Sequence, residues 1–307
     1  MMTEQPEISV ILPFYEGERW IRRAIQSVSV QEGVSWELVV VDDGSSMSPR
    51  ETVQSFEDER IRYCRMPHAG KGAALNRGVA ESHAGLLCFI DQDDVMLPDR
   101  LRRQAAVFMA DPATEAVYSD YERVTEQGER IDRFTSRQAT GEECLRQMAA
   151  GAALVSMQTL MLRRHVYGDI GGFSEDPDLT GLDDAEFFVR LFASNVTLRY
   201  EPGAVQQWVR HERNYSAGAA FQEARLVFLQ HLTAMAAERP GLKEALPLFR
   251  KGTYCMRGLY YLEHALPEKA CPEFIRAIRC SPLEWNGYYL LAKAWLQANS
   301  FFKGQGE

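Results

Sequence analysis

Three carboxylates fall within four residues at Asp91-Gln92-Asp93-Asp94, directly after the apolar run Leu86-Leu87-Cys88-Phe89-Ile90. Such a run reads as a strand buried on both faces, which carries the acids to the rim of a sheet. Clustered carboxylates repel one another and lose hydration unless a cation or hydrogen bonds compensate. Oxygen-only donors favour Mg²⁺ or Mn²⁺, cations that bridge protein carboxylates to a substrate diphosphate. Taken alone, the same residues read equally well as a solvated acidic turn before a helix, where negative charge is favoured. A second acidic turn, Asp42-Asp43-Gly44-Ser45, closes the run Leu38-Val39-Val40-Val41, with Gly44 free to take positive φ. Asp-Gly is an everyday turn, but two acidic turns ending successive strands are harder to dismiss. Tyr15 reaches the same rim, where its ring could stack on a nucleobase or simply pack in a loop.

The elements that carry these residues alternate between the two periods. Ile8 to Leu12 is strand-like and stops at Pro13, after which Trp20, Ile21, Ala24, Ile25 and Val28 recur at helical spacing. Ala73 to Ala80 is helix-like, Pro98 sits where a proline opens a helix, and Ala116 to Ser119 reads as a fourth strand. This alternation predicts an α/β sheet with parallel strands, and ligands bind outside the strand C-termini of such sheets. From about Ser216 strand signals cease. Ala217 to Arg239 is a long helical pattern stopped at Pro240, with further breaks expected at Pro247, Pro267, Pro272 and Pro282. The predicted organisation is an α/β domain over residues 1–216 and an all-helical tail over 217–307.

Composition narrows the functional classes. Lys and Arg number 34 against 43 Asp and Glu, a net charge of −9 that argues against binding to a nucleic-acid backbone. The basic cluster Arg100-Leu101-Arg102-Arg103 reads as one solvated helix face. The six cysteines form no CxxC pair and no Cys/His cluster, as expected of reduced thiols rather than a zinc site. No run approaches the roughly 18 apolar residues of a transmembrane span, and no secretory h-region is evident. A cytoplasmic protein, or one peripheral to the membrane, is expected.

Three segments occur together in a fixed order: Ser9-Val10-Ile11-Leu12-Pro13-Phe14-Tyr15, Val39-Val40-Val41-Asp42-Asp43-Gly44-Ser45 and Phe89-Ile90-Asp91-Gln92-Asp93-Asp94. Gly72-Ala73-Ala74-Leu75-Asn76-Arg77-Gly78, Leu97-Pro98-Asp99-Arg100-Leu101 and Gly171-Gly172-Phe173 add to them. Each is generic, but the ordered set resembles family-2 inverting glycosyltransferases of the GT-A fold, over roughly residues 7–216. The resemblance implies a Rossmann-like nucleotide-diphospho-sugar transferase domain. It further implies a Mn²⁺- or Mg²⁺-dependent enzyme that moves a sugar from a nucleotide donor, UDP-linked, to a saccharide hydroxyl in polysaccharide or glycoconjugate synthesis.

The roles implied are specific. Pro13 and Tyr15 look like the residues that hold the base, Asp43 like the aspartate that hydrogen-bonds it, and Lys71 like a basic group near the nucleotide. Asp91 and Asp93 resemble the DxD pair, for ribose and metal respectively, although Asp94 could take the metal instead. Asp183-Asp184, about ten residues beyond Gly172-Phe173, resembles the family's Glu-Asp motif, giving Asp184 the catalytic base and Asp183 a supporting part. Arg210-His211 resembles the Arg-x-His segment that contacts diphosphate or metal. Two departures stand out: Glu16 where asparagine is frequent, and Asp183 in place of glutamate.

In the tail, residues 251–284 fit a 34-residue tetratricopeptide template with Tyr254, Gly258, Tyr261, Ala270, Phe274, Ala277 and Pro282 in register. Arg257 stands where leucine is usual, and Tyr288, Leu291, Ala292 and Trp295 restart the pattern. One repeat is too short to stand alone, so the tail needs a surface to pack on, and a homodimer through it is expected. Two rival readings are a sugar nucleotidyltransferase and a non-catalytic scaffold. The first needs a glycine-rich loop after the first strand, where Pro13-Phe14-Tyr15-Glu16 has no glycine, and the second leaves Asp91, Asp93 and Asp184 unexplained.

Overall fold

The computed structural model describes residues 6–179, 181–211, 219–283 and 285–303. The chain divides into two compact units, residues 1–144 with 154–215 and residues 145–153 with 216–307. The segment 145–153 thus joins the second unit, although the sequence reading placed it in the first.

The first unit opens with β1 (Ile8–Phe14), α1 (Glu18–Ser29), β2 (Trp36–Asp42), α2 (Arg50–Gln54), β3 (Ile61–Arg65), α3 (Lys71–Glu81) and β4 (Leu86–Phe89). It continues with β5 (Val95–Met96), α4 (Arg100–Ala110), β6 (Ala116–Thr125), β7 (Arg130–Phe134), the first residues of α5 (Gly141–Ala149), which from residue 145 belongs to the second unit, then β8 (Met161–Arg163), α6 (Arg164–Asp169), α7 (Asp183–Phe192) and β9 (Leu198–Arg210). Strands follow the order β3-β2-β1-β4-β8-β6-β9-β5, with β7 beside β6. All seven residues of β1 and of β2 are buried, which explains their unbroken apolar runs. Ile8, Val10, Leu12 and Phe14 of β1 join the core that α1 and α4 line. Ile11 meets α3 on the other face, where a Cβ added at Gly78 would stand 2.4 Å from Ile11 Cγ2.

The expected parallel sheet holds for β3, β2, β1 and β4. Beyond β4 the sheet is mixed, because β8 runs antiparallel to both β4 and β6, and β5 and β7 are antiparallel additions. Strands as short as the three residues of β8 and the two of β5 carry too few alternations to register as a pattern. The basic cluster is also not one solvated face. Arg100 is completely buried and donates to the Phe89, Leu160 and Gln206 oxygens, while Arg103 forks onto Glu201 and Arg102 stays exposed. Buried acceptors at the end of β4 and in β9, far apart in sequence, draw Arg100 inside.

The second unit carries α8 (Ala219–Met235), α9 (Pro240–Glu263), α10 (Pro267–Cys280) and α11 (Trp285–Lys303). Pro240 and Pro267 open helices, as a residue without an N–H can. Pro247 and Pro272, expected as breaks, lie inside continuous helices, so packing outweighs the lost hydrogen bond. Leu262, Ala270, Phe274 and Ala294 form the core of α9, α10 and α11. A Cβ at Gly258 would stand 2.5 Å from Phe274 Cε1, which accounts for the small residue there. Off-pattern Arg257 is buried, donates to the Gln222 carbonyl, and pairs with Glu223 at 3.2 Å and the buried Glu273 at 3.5 Å. Among the described residues no helix is long and apolar enough to cross a membrane.

Candidate active site

The parallel register brings Phe14 level with Asp42 and Ile11 level with Phe89, so the loops after β1, β2 and β4 leave one edge of the sheet. Pro13 is buried in β1, beyond the last residue paired with β4, where a missing N–H costs no ladder bond on that side. Tyr15 is half exposed, and the Gln92 side chain grips its backbone, accepting from Tyr15 N at 2.9 Å and donating to Tyr15 O at 3.0 Å. Glu16, at φ 49°, accepts from Ser46 N and Oγ and thereby ties the first loop to the second.

The two aspartates of the second loop divide the work. Asp42 braces the turn, accepting from Ser45 N at 2.9 Å and Tyr63 Oη at 2.7 Å. Asp43 accepts from Ala69 N and Gly70 N at 2.8 and 2.9 Å, and its Oδ2 lies 2.9 Å from His68 Nδ1. The His68 ring stacks on Tyr15 at 4.3 Å and 19°. Gly44 takes φ 75°, and a Cβ there would sit 2.6 Å from His68 N, so the turn requires glycine.

The three carboxylates after β4 go to three different partners. Asp91 meets Lys71 Nζ at 2.7 Å and accepts from Gln158 Nε2 at 3.0 Å. Asp93 Oδ2 lies 2.7 Å from His211 Nε2, and the His211 ring stacks on Trp20 at 4.3 Å. Asp94 is completely buried and accepts from Val209 N at 3.1 Å and Gln206 Nε2 at 3.2 Å, so both its oxygens hold β9. Gln206 in turn accepts from Arg100, completing a buried Asp94–Gln206–Arg100 chain. Burial, then the charges of Asp93 and Asp91, push Asp94 well above the usual carboxylate range. Burial and Asp91 also raise Asp93, a cost that a bound cation would remove. Arg210 is exposed, its guanidinium 5.2 Å from the Trp208 ring centroid. Among the described residues no three or more His, Cys, Asp or Glu side chains surround one point. Asp93 and His211 offer one carboxylate oxygen and one imidazole nitrogen, donors of the kind that would hold a divalent cation.

Asp183 and Asp184 open α7, and Asp183 Oδ2 is a buried oxygen with no hydrogen-bond partner among the described residues. Asp184 Oδ1 accepts from Ala185 N at 2.7 Å. Burial and the neighbouring Asp183 raise Asp184 to about 6, against the opposing pull of Lys71. The Lys71 ammonium is raised in its turn, because Asp91, Asp183 and Asp184 together outweigh its burial. The ammonium that pairs with Asp91 after β4 thus also acts electrostatically on the acidic start of α7. Asn76 of α3 fixes this approach by accepting from Phe173 N at 2.9 Å and donating to Phe173 O at 3.0 Å. A Cβ at Gly72 would stand 2.1 Å from Ser174 O, so the two glycine motifs meet across α3.

His68, Trp20 and Gln158 had no role in the sequence reading. No local motif surrounds them; the one signal in the sequence is the position of His68 three residues before Lys71. Arg23 belongs with them, donating to the Asp93 carbonyl at 3.2 Å.

Fold and site together define a GT-A type nucleotide-sugar-transferase architecture. Residues 9–171 match the family described as glycosyl transferase family 2, and the chain belongs to that family. It is 27% identical over 175 residues to the putative teichuronic acid biosynthesis glycosyltransferase TuaG of Bacillus subtilis, covering 55% of this chain and 67% of that protein. It is 30% identical over 158 residues to the Escherichia coli UDP-Glc:alpha-D-GlcNAc-diphosphoundecaprenol beta-1,3-glucosyltransferase WfgD, covering 50% of this chain and 61% of that one. A Rickettsia felis glycosyltransferase matches at 32% over 41% of this chain, which spans only 21% of that relative's length. Among solved structures, S. aureus TarS 1-349 superposes with a TM-score of 0.66 at 17% identity, covering 97% of this chain and 92% of that one. The Pyrobaculum calidifontis mannosyltransferase PcManGT, in complex with GDP-Man and Mn²⁺, gives 0.58 at 19% identity, covering 96% and 81%.

Proposed function

We propose that this chain is an inverting glycosyltransferase that moves a sugar from a UDP-sugar to a saccharide hydroxyl. The observation that carries the reading is the Lys71–Asp91 ion pair at 2.7 Å on the donor-side turn, with the buried carboxylates Asp183 and Asp184 at the head of α7 within the electrostatic reach of Lys71. Tyr15 and His68 supply a stacking platform for the base, and Asp43 stands beside them as its hydrogen-bond partner. Asp91 takes the ribose. Asp93 and His211 would hold Mg²⁺ or Mn²⁺, which when bound neutralises charge developing on the departing diphosphate. Asp94 is reserved for bracing β9, since it is completely buried and its oxygens hold Val209 N and Gln206 Nε2 of that strand.

Asp184 accepts the acceptor's proton as the hydroxyl oxygen attacks the anomeric carbon. The carbon–oxygen bond to the diphosphate breaks, UDP departs, and configuration inverts because attack and departure are on opposite faces. A value of about 6 leaves Asp184 mostly ionised at neutral pH and still basic enough to take a proton. The uridine reading is supported by a TarS structure in complex with UDP-GlcNAc and by the UDP-Glc donor of WfgD, whereas PcManGT holds GDP-Man. Calorimetry with UDP and GDP in Mn²⁺ tests it. UDP should bind the more tightly, and EDTA or Asp93→Ala should each weaken it sharply. Equal affinity for GDP would remove the uridine assignment, and indifference to both perturbations would remove the metal.

A further inference from the structure

We propose that the outward face of α11 docks this protein on an anionic lipid bilayer. The helix turns Leu290, Leu291 and Ala294 onto Leu262, Ala270 and Phe274, and Gly287 approaches Ile278. Its opposite face presents Tyr288, Tyr289, Trp295 and Leu296, exposed by 46, 68, 61 and 63%. The pairs Tyr288/Trp295 and Tyr289/Leu296 are each seven residues apart, so they form two adjacent rows along the helix, with exposed Ala292 between them. The strip runs roughly 12 Å along the axis, and Leu283, 97% exposed, precedes it. Single exposed apolar residues are ordinary, whereas a contiguous patch marks an interaction surface.

Composition selects the occupant. Tyrosine and tryptophan suit a boundary where the ring is in an apolar layer and its polar tip in water. Residues 285–303 contain Lys293 and Lys303 and no acid, within a chain of net charge −9. Lys293 and, on α10, Arg279 are exposed. In a two-fold dimer the same patch meets itself, which brings like charges around it together. Against anionic headgroups the same charges attract. The inference stands on α11 and α10 alone and does not depend on the donor or the chemistry proposed above.

Co-sedimentation of the full chain with phosphatidylcholine vesicles, with and without phosphatidylglycerol, tests it. Binding is expected to the anionic vesicles, reduced by salt and by Lys293→Glu. The double substitution Tyr289→Glu with Leu296→Glu, at exposed positions, should cut the bound fraction at least about tenfold. Circular dichroism and donor hydrolysis in solution should remain unchanged in that variant, which separates failure of docking from failure of the transferase reading. Absence of wild-type binding, or equal binding by the double variant, overturns the proposal. A wild-type dimer in light scattering that the double variant reduces to monomer, without vesicle binding, assigns the face to a second copy and also overturns it.

Discussion

Replacing Lys71 by methionine should move the acid limb of turnover to higher pH. In the role proposed for it, Asp184 would act as a base only when ionised, and its folded-state value of about 6 lies above the reference because burial and Asp183 disfavour the charge. At such a value the carboxylate is about nine-tenths ionised at pH 7 and about one-tenth at pH 5. Turnover of the wild-type enzyme at saturating donor should therefore fall about tenfold across that interval. Lys71 opposes the rise, so its removal destabilises the ionised form and raises the midpoint. An opposite charge at close range is worth about 1–3 units, but the Lys71 side chain is 39% exposed and screened. The lower end applies, a shift of about one unit or ~1.4 kcal/mol. Lys71→Met should then lose about half its turnover at pH 7 through ionisation and little at pH 8.5. The assay is UDP release by donor hydrolysis across pH 5–9, with KM followed separately because Asp91 also loses its partner. Lys71→Arg should restore the limb. A limb that stays in place, or a loss equal at every pH, would refute the electrostatic coupling and leave Lys71 a donor contact only.

The buried Asp94 chain predicts a structural phenotype: Asp94→Ala strands Val209 N and Gln206 Nε2, and should lower stability by about 1–3 kcal/mol in urea denaturation. An unchanged midpoint would return Asp94 to the list of metal-ligand candidates. In the second unit, Gly258→Ala places a methyl 2.5 Å from the Phe274 ring and should cost about 1–3 kcal/mol, read as a lowered thermal midpoint. Phe274→Leu should recover part of that loss by making room, and no recovery would mean that the helices do not meet there.

Much of the first unit was legible because its signals are local. Strands buried on both faces must be continuous apolar runs, so β1, β2 and β4 announce themselves, and the acids that end them must lie on one edge once the strands pair in parallel. Runs of two or three residues, such as β5 and β8, carry no such signal. The arginine cluster was misread for a related reason. Helical spacing says which residues share a face, not that an acceptor such as Gln206 waits 106 residues further on to take Arg100 inside.

Local patterning thus accounts for which residue types stand at the rim: an aromatic after β1 and carboxylates after β2 and β4. It cannot distribute adjacent carboxylates among roles, because Asp91, Asp93 and Asp94 differ only in what approaches them. Lys71 reaches Asp91 from α3, His211 reaches Asp93 from beyond β9, and the Val209 amide reaches Asp94 across 115 residues of sequence. A buried carboxylate takes the partner that relieves its desolvation, and those partners exist only once β9 has crossed the sheet and Asn76 of α3 has tied down the Phe173 turn, on which Phe187 of α7 stacks.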